Sequence, residues 1–499
     1  MNILNTEQTR KADKFTIDTE PISSIDLMER AAVAFTEKFT ELYPNPQKVQ
    51  IVCGLGNNGG DGLVVARMLH QSGYDIKVYV VNYASQRSKD FSENLLLLKD
   101  QCEVWFIDSV DDLYLIRSVI IDALLGSGLS RKLSALLGEV VEVINNSGNE
   151  VVSVDSPTGL FTEKSNDESD IIIRATHTIT FQTPKLAFLL PQNDEMVGEW
   201  HAVDIGLNLS FLDESETNHR LVESKFIQEI TKQRSKNSHK GTFGSALLIA
   251  GSYGMMGAAV LAAKSCLRSG VGKLTVHSIP AGNEILQISV PEAMFSPAPD
   301  NDSGYINSFF YAEDLEKYQA IGVGPGIGVD VNVRQSLNVL IEVCRELNKP
   351  LIIDADGLNN IAQSPLTIAR LPEKTVLTPH LGEFKRLVGK SWKNDYERLE
   401  LLTDFAQKNK VVVCLKGVNT AVALPDGRVY FNTTGNSGLA TAGSGDVLTG
   451  MILSFLAQGY EPYQAAILGV YEHGLAGDRA AEKRSQRALI AGDIIEEIR

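Results

Sequence analysis

The chain has 499 residues, 43% hydrophobic and 22% charged, with a formal net charge of -16. That length fits two domains, and the composition is that of an ordinary globular protein. The acidic balance excludes non-specific nucleic-acid binding and attachment to an anionic membrane, but not phosphate ligands held by local N–H groups.

Met1 to Glu7 lacks a basic segment followed by an apolar core and is not Arg-rich, and no apolar run reaches the length of a membrane span. The expected location is therefore the cytoplasm. Residues 5–43 read as helical, with Ile25, Met28, Ala31, Ala32 and Phe35 on one face. Val49 to Cys53 reads as a buried strand. It runs into Gly54-Leu55-Gly56-Asn57-Asn58-Gly59-Gly60-Asp61-Gly62 and then an apolar helix from Leu63 to Leu69. Strand, glycine turn and helix begin a doubly wound α/β unit.

Gly54, Gly56 and Gly59 satisfy G-x-G-x-x-G, but the next strand, Asp75 to Val81, is followed by Asn82 and not by an acid. The ribose contact of a nicotinamide dehydrogenase is therefore unsupported. Asn57, Asn58 and Asp61 are unusual in a phosphate-type turn. They supply oxygen ligands for a hard cation and donors for a polar ligand; a polar turn with an Asn cap is the plainer alternative. Two further strands end in acid and turn through glycine, one at Asp122 before Gly126 and one at Asp155 before Gly159. Ligands of open parallel sheets sit beyond the C-terminal strand ends. Asn58 with Asp61, Asp122 and Asp155 are thus expected to converge on one crevice, although each alone would read as a turn former.

The Asn-Asn-Gly-Gly-Asp-Gly loop, Asp122 to Leu129 and Val154 to Leu160 resemble the NAD(P)H-hydrate epimerase family. The likeness covers about residues 1–210, including Leu27 to Ala31, Pro184-Lys185 and Val203 to Leu207. It implies a Rossmann-like domain. Asn57, Asn58, Gly59, Gly60 and Asp61 would bind the hydrated nicotinamide nucleotide, with Gly126, Ser127, Gly128, Leu129, Ser130, Arg131 and Lys132. A potassium ion would be held by Asn58, Asp122 and Thr158, the last standing where Ser is more usual. Asp155 would touch the substrate and is the candidate acid/base, moving a proton on the C6 hydroxyl as the R and S hydrates interconvert.

Between the halves, Asp213 to Arg220 is polar and acidic and Lys232 to Lys240 is basic. The boundary is placed within 211–225, giving domains 1–222 and 223–499. No Pro/Gly-rich tether separates them, so direct packing is expected.

The second half repeats strand, loop and helix. Ser245 to Ala250 precedes Gly251 to Ala259, and Gly322 to Gly328 is a glycine turn. Leu351 to Asp354 ends in acid, Thr378 to Glu383 carries His380 and Glu383, and Val411 to Leu415 precedes Lys416 to Thr420. This is a parallel α/β sheet with helices on both faces, and no Walker-A motif is present. Near the end, Gly443-Ser444-Gly445-Asp446 opens an apolar helix from Val447 to Leu456. Unpaired N–H groups and the helix dipole favour a phosphate there, and the glycines let it approach. A carboxylate beside such a site reads as a general base on a hydroxyl about to meet phosphorus. The plainer alternative is a first-turn Asp that stabilises the helix.

Gly438 to Gly450 resembles the anion-hole and base motif of the ribokinase-like superfamily, in its ADP/ATP-dependent NAD(P)H-hydrate dehydratase branch. The likeness covers about residues 228–499 and implies a ribokinase-like domain, so the chain is expected to hold two three-layer αβα domains. Lys416, Gly417, Val418, Asn419, Thr420 and Gly445 would hold the adenine nucleotide, and Ala258, Gly326, His380 and Asp446 the hydrated dinucleotide. Glu383 reads either as an organiser of Mg²⁺ or as part of a helix cap. The resemblance implies ADP with Mg²⁺ in preference to ATP, NADH and NADPH hydrates as substrates, and a homo-oligomer. The alternative is a vitamin-precursor kinase fused to a non-catalytic nucleotide-binding module. The five Cys are scattered in apolar runs and read as free thiols in a reducing compartment. No Cys-x-x-Cys or His/Cys cluster suggests a transition-metal site.

Overall fold

The computed structural model describes residues 1–309 and 315–499. The chain divides into two compact units, Met1–His219 with Asn394–Tyr396, and Arg220–Lys393 with Glu397–Arg499. Among the described residues no helix is long and apolar enough to cross a membrane. The five cysteines are free thiols, all but Cys102 buried.

The first unit is built on a sheet of β1 (Lys48–Cys53), β2 (Asp75–Val81), β3 (Val104–Ile107), β4 (Val119–Ala123), β5 (Glu150–Val154), β6 (His177–Phe181) and β7 (Glu199–Val203). Their order is β3-β2-β1-β4-β5-β6-β7, and every pairing is parallel. Helices cover both faces, so the central strands are apolar throughout. Ile51 joins Phe35, Phe39 and Leu63 on one face, and its neighbour Val52 joins Ile120, Leu137 and Val140 on the other. Each such fully buried side chain contributes roughly 1.5–3 kcal/mol.

The stretch 5–43 is two helices and not one, α1 (Thr6–Thr19) and α2 (Ser24–Leu42). Pro21 disfavours helical backbone at the residue before it, and Ser23 with Asp26 forms a capping box that restarts the helix. Helix α3 (Asn57–Gln71) begins at Asn57 and not at Leu63, with Gly56 as its N-cap. Asn57 and Asn58 therefore lie in the first helical turn. Gly54 and Gly59 permit this tight entry: a Cβ on Gly59 would fall 2.1 Å from the Gly54 carbonyl oxygen, and one on Gly54 1.9 Å from that of Leu124.

The second unit carries a ten-stranded sheet of β8 (His219–Leu221), β9 (Ser245–Ile249), β10 (Lys273–Ser278), β11 (Met294–Pro297), β12 (Ala320–Val323), β13 (Leu351–Ile353), β14 (Thr375–Leu377), β15 (Val412–Leu415), β16 (Thr420–Ala423) and β17 (Val429–Asn432). The order is β11-β10-β9-β12-β13-β14-β15-β16-β17-β8. β11 through β15 pair in parallel, while β16 joins β15 and β17 antiparallel. The helix Ser444–Ala457 is apolar on every side and buries Val447, Leu448, Met451, Ile452, Leu453 and Leu456. A helix of that kind belongs in a core. Gly450 lets it press on the helix Met256–Arg268, where a Cβ would fall 2.1 Å from the Ala262 carbonyl oxygen.

Candidate active sites

In the first unit the strand order reverses between β1 and β4, the place where open parallel sheets bind ligands. A cleft of about 950 Å³ lies there. Asn57, Asn58, Asp61, the loop Gly126 to Lys132 and Asp155 all line it. Gly59 and Gly60 are buried behind it, where a Cβ on Gly60 would fall 2.9 Å from Met28 Cε. The Lys132 ammonium is shared by Asp167 and Asp170, each at 2.8 Å.

Asp155 follows β5 and has left-handed backbone, with φ at 62°. Oδ1 accepts from the Thr180 hydroxyl at 3.1 Å and the Phe181 N–H at 3.3 Å, and meets Lys185 Nζ at 3.1 Å. Oδ2 accepts from the Ser127 N–H at 3.4 Å. Burial works to raise this carboxyl, but the Lys185 ammonium and the donors outweigh it and hold Asp155 below the ordinary carboxylate range. Lys185 is itself only 3% exposed. Asp13, on α1, lines the same cleft. Burial and the Asp155 charge push it up to about 6. Asp61 is also raised well above the ordinary carboxylate range, by burial and then by the charges of Asp155, Asp13 and Asp90. Asp13 carries no local sequence signal, and Lys185 is marked only as part of the Pro184-Lys185 stretch. α1 supplies one and the turn after β6 the other, far from the glycine loops.

Asp122 and Thr158 sit together, both fully buried. Asp122 accepts from the Thr158 hydroxyl at 2.7 Å, the Thr158 N–H at 2.9 Å, the Ser153 hydroxyl at 2.9 Å and the Leu124 N–H at 3.3 Å. Burial still raises its pKa against these four donors. Asn58 Oδ1 faces Gly126, where a Cβ would fall 2.8 Å away. Its Nδ2 is buried and has no hydrogen-bond partner among the described residues.

In the second unit the strand order reverses between β9 and β12. Ala258 lies in the first turn of the helix Met256–Arg268 that follows β9, and Gly326 in the loop after β12, close enough that a Cβ on Gly326 would fall 3.3 Å from Ala258 Cβ. Gly326 has φ at 62°, and its carbonyl accepts from the buried Ser252 hydroxyl at 2.7 Å. After β14, His380 is the N-cap of the helix Leu381–Val388. Its Nδ1 accepts from the Gly382 N–H at 3.0 Å, so the proton belongs on Nε2, 3.3 Å from Glu383 Oε1. Glu383 Oε2 accepts from the His380 N–H at 2.9 Å. Glu383 is thus the reciprocal half of a capping box, and the His380 ring stays 55% exposed.

Lys416, after β15, places Nζ 3.0 Å from Asp354 Oδ1. Asp354 directly follows β13 and is 1% exposed. Its Oδ2 accepts from the Thr449 hydroxyl at 2.6 Å. Burial lowers Lys416, but the charges of Asp354 and Glu383 more than compensate. Gly445 closes over this pair, where a Cβ would fall 3.3 Å from Lys416 Nζ. Gly417 and Val418 form the exposed tip of the β15–β16 hairpin, with Asn419 and Thr420 half-buried behind them.

Gly443, with φ at 87°, is the N-cap of the helix Ser444–Ala457. The Ser444 N–H donates to the Thr441 carbonyl at 3.3 Å, so of the loop's expected anion donors Gly445 is the freer one; neither it nor Asp446 has an acceptor within its own helix. Asp446 is half-buried. Burial, then Asp354, raises it to about 6 against the pull of Lys416. Behind it, the buried His473 places Nε2 3.0 Å from the Ser444 carbonyl oxygen and 3.2 Å from the Ser444 hydroxyl. Asp354 tips the acid-ended strand and Thr449 lies inside the Gly438–Gly450 motif, though neither carried an expected role, and His473 lies outside every motif.

The sequence pattern of the family described as NAD(P)H-hydrate dehydratase matches residues 246–499. That of the family described as YjeF-related protein N-terminus matches 24–187. The bifunctional NAD(P)H-hydrate repair enzyme Nnr of Thermofilum pendens is 36% identical, covering 98% of this chain and 94% of its own. Its namesake in Escherichia coli is 30% identical, with 98% and 91% covered. Among solved structures, an ADP/ATP-dependent NAD(P)H-hydrate dehydratase from Bacillus subtilis, co-crystallised with ATP and Mg²⁺, is 32% identical. It matches with a TM-score of 0.50, over 57% of this chain and 97% of that one.

Proposed function

Because the chain belongs to the family of bifunctional NAD(P)H-hydrate repair enzymes, we propose that it carries out both repair reactions on one chain. The first unit interconverts the R and S hydrates of NADH and NADPH. The second dehydrates the S form at the expense of ADP, releasing AMP and phosphate. The observation that carries the second assignment is Asp446, a half-buried carboxyl raised to about 6 at a helix N-terminus. It combines a base close to neutrality with N–H groups suited to a phosphoryl group.

In this reading Asp446 takes the proton of the C6 hydroxyl, and that oxygen forms a bond to the β-phosphorus of ADP. The bond from β-phosphorus to the bridging oxygen breaks, and AMP leaves with the electron pair. The Gly445 N–H meets the charge on the transferred group, and Lys416 holds the nucleotide phosphates. The C6–O bond then breaks with phosphate as the leaving group, and loss of the C5 proton restores the ring double bond. His380, with its proton on Nε2, orients the dinucleotide beside Ala258 and Gly326. Bound Mg²⁺ would neutralise phosphate charge, and the half-buried carboxylates of Asp446 and of Asp356, whose Oδ2 accepts from the Gly328 N–H at 2.9 Å, are the oxygen donors that suit it. The family resemblance carried by Gly438 to Gly450 implies ADP in preference to ATP.

In the first unit Asp155, ionised and steadied by Lys185, moves the proton on the C6 hydroxyl. The loops Asn57 to Asp61 and Gly126 to Lys132 hold the nucleotide. Asn58, Asp122 and Thr158 offer a carboxamide, a carboxylate and a hydroxyl, an all-oxygen set fit for K⁺. The unpaired Asn58 amide is the observation that favours this fit, since turning it over puts an oxygen where Nδ2 now lies. K⁺ there would supply a fixed positive charge under the substrate loops.

The test is recovery of reduced-nicotinamide absorbance from a mixture of both NADH hydrates with Mg²⁺, K⁺ and ADP. Full recovery with matching AMP is expected. Recovery stopping near half would remove the epimerase assignment. No recovery with ADP or ATP would remove the dehydratase assignment. Exchanging K⁺ for a large organic cation should slow epimerisation alone.

A further inference from the structure

We propose that His177, Glu199 and His201 form a binding site for one borderline-soft divalent cation of the Zn²⁺ class, on the first unit's sheet at the end away from the cleft. His177 opens β6, and Glu199 opens β7 with His201 two residues on. The parallel register pairs His177 with Glu199 and Ile179 with His201. Because side chains alternate along a strand, all three residues share one face.

The spacing is that of a metal's ligands. His177 Nδ1 and His201 Nε2 are 3.3 Å apart. Zinc binds imidazole nitrogen at about 2.0–2.1 Å, so two corners of its tetrahedron lie about 3.3–3.4 Å apart. Glu199 places Oε2 3.8 Å from His177 Nδ1 and Oε1 4.0 Å from His201 Nε2. Its side chain is 69% exposed, so a rotation of under an ångström brings it to ligand distance at no packing cost. The imidazoles are held more firmly, at 18% and 14% exposure. The Tyr43 ring meets His177 edge-on, with centroids 6.2 Å apart and planes at 82°. Three protein ligands leave the fourth position to water on the exposed side.

The donor chemistry selects the ion. Two imidazoles and a carboxylate suit Zn²⁺, Ni²⁺ or Cu²⁺, whereas Mg²⁺ and Ca²⁺ take oxygen donors. The surrounding charge does not oppose a cation. Lys38 is the nearby base, and its ammonium is taken by Glu41 at 2.9 Å. Such an ion would tie β7, the last strand of the sheet, to β6. The cleft lies at the C-terminal strand ends and these ligands open their strands, so epimerisation should not depend on them.

The experiment titrates Co²⁺ into untagged, chelator-stripped full-length protein in excess Mg²⁺, followed by visible absorption. One equivalent with the intense bands of tetrahedral Co²⁺, displaced by Zn²⁺, is expected. The His177→Gln/His201→Gln double variant should lose the bands while epimerising at the wild-type rate. Glu199→Gln, a surface change that leaves the fold undisturbed, should weaken Co²⁺ by about tenfold or more. Absence of the bands in the wild type overturns the proposal, as does undiminished binding in either variant.

Discussion

Lys416 and Asp354 meet through one short contact, Nζ to Oδ1 at 3.0 Å, and the other oxygen of Asp354 is tied to Thr449 on the helix that carries Asp446. The cation assigned to the nucleotide and the proposed base are thereby fixed to one buried carboxylate. Lys416→Met would leave Asp354 in the core without its ion partner. Losing one half of a buried pair costs about 3–5 kcal/mol, and calorimetry of the second unit should show a loss near the lower end. Adding Asp354→Asn should restore most of that stability without restoring ADP affinity, measured by titration calorimetry.

Asp446→Asn should lower nucleotide-dependent dehydration by about a hundredfold to ten-thousandfold, the usual worth of a general base. ADP should still bind. The wild-type kcat/KM should fall as pH drops below about 6, because burial raises Asp446 to that value and only its ionised form accepts the proton. The residual activity of the variant should lack this limb.

Asp155→Asn should stop epimerisation and leave dehydration intact, so recovery from mixed hydrates halts near half. Asp155 is held low by Lys185 where Asp446 is held high. In the pH unit below 6, wild-type epimerisation should therefore persist while dehydration fades. Separate assays of the two steps on one sample check this.

His473 makes the second unit sensitive to acid. Burial lowers its pKa from 6.5 to about 4 in the fold. Between those values the unfolded chain binds the proton and the folded chain does not, so stability falls as pH drops through that window. The full effect is about 3 kcal/mol. His473→Gln should flatten the dependence of the second unit's Tm on pH between 6.5 and 4.

The alternation of strand, glycine loop and helix made the parallel sheet of the first unit and the parallel strands of the second legible, but not the antiparallel β16 and β17, and consecutive polar residues marked the loops at Asn57 to Asp61 and Gly443 to Asp446. What escaped was residues that act singly. Asp13 and His473 sit outside every motif, and Lys185, Asp354 and Thr449 lie in marked stretches without an expected role; only the packing of strands and helices brings them to the sites. His177 and His201 show the same limit. The sequence carries no His/Cys cluster, yet parallel register sets the two rings side by side. The break between α1 and α2 was within reach, since Pro21 and the Ser23–Asp26 cap stand in plain view and the apolar stripe from Ile25 to Phe35 belongs to α2 alone.

The helix Ser444–Ala457 bears the proposed base at its tip and forms the centre of the second unit along its body. Asp446 is therefore stationary during turnover, and any closure over the substrate must come from the loops opposite. Dehydration should also report on the fold itself. Its loss on heating should coincide with exchange of the slowest amide hydrogens, those of Met451 to Leu453, with no temperature range in which the core stands and the base has drifted.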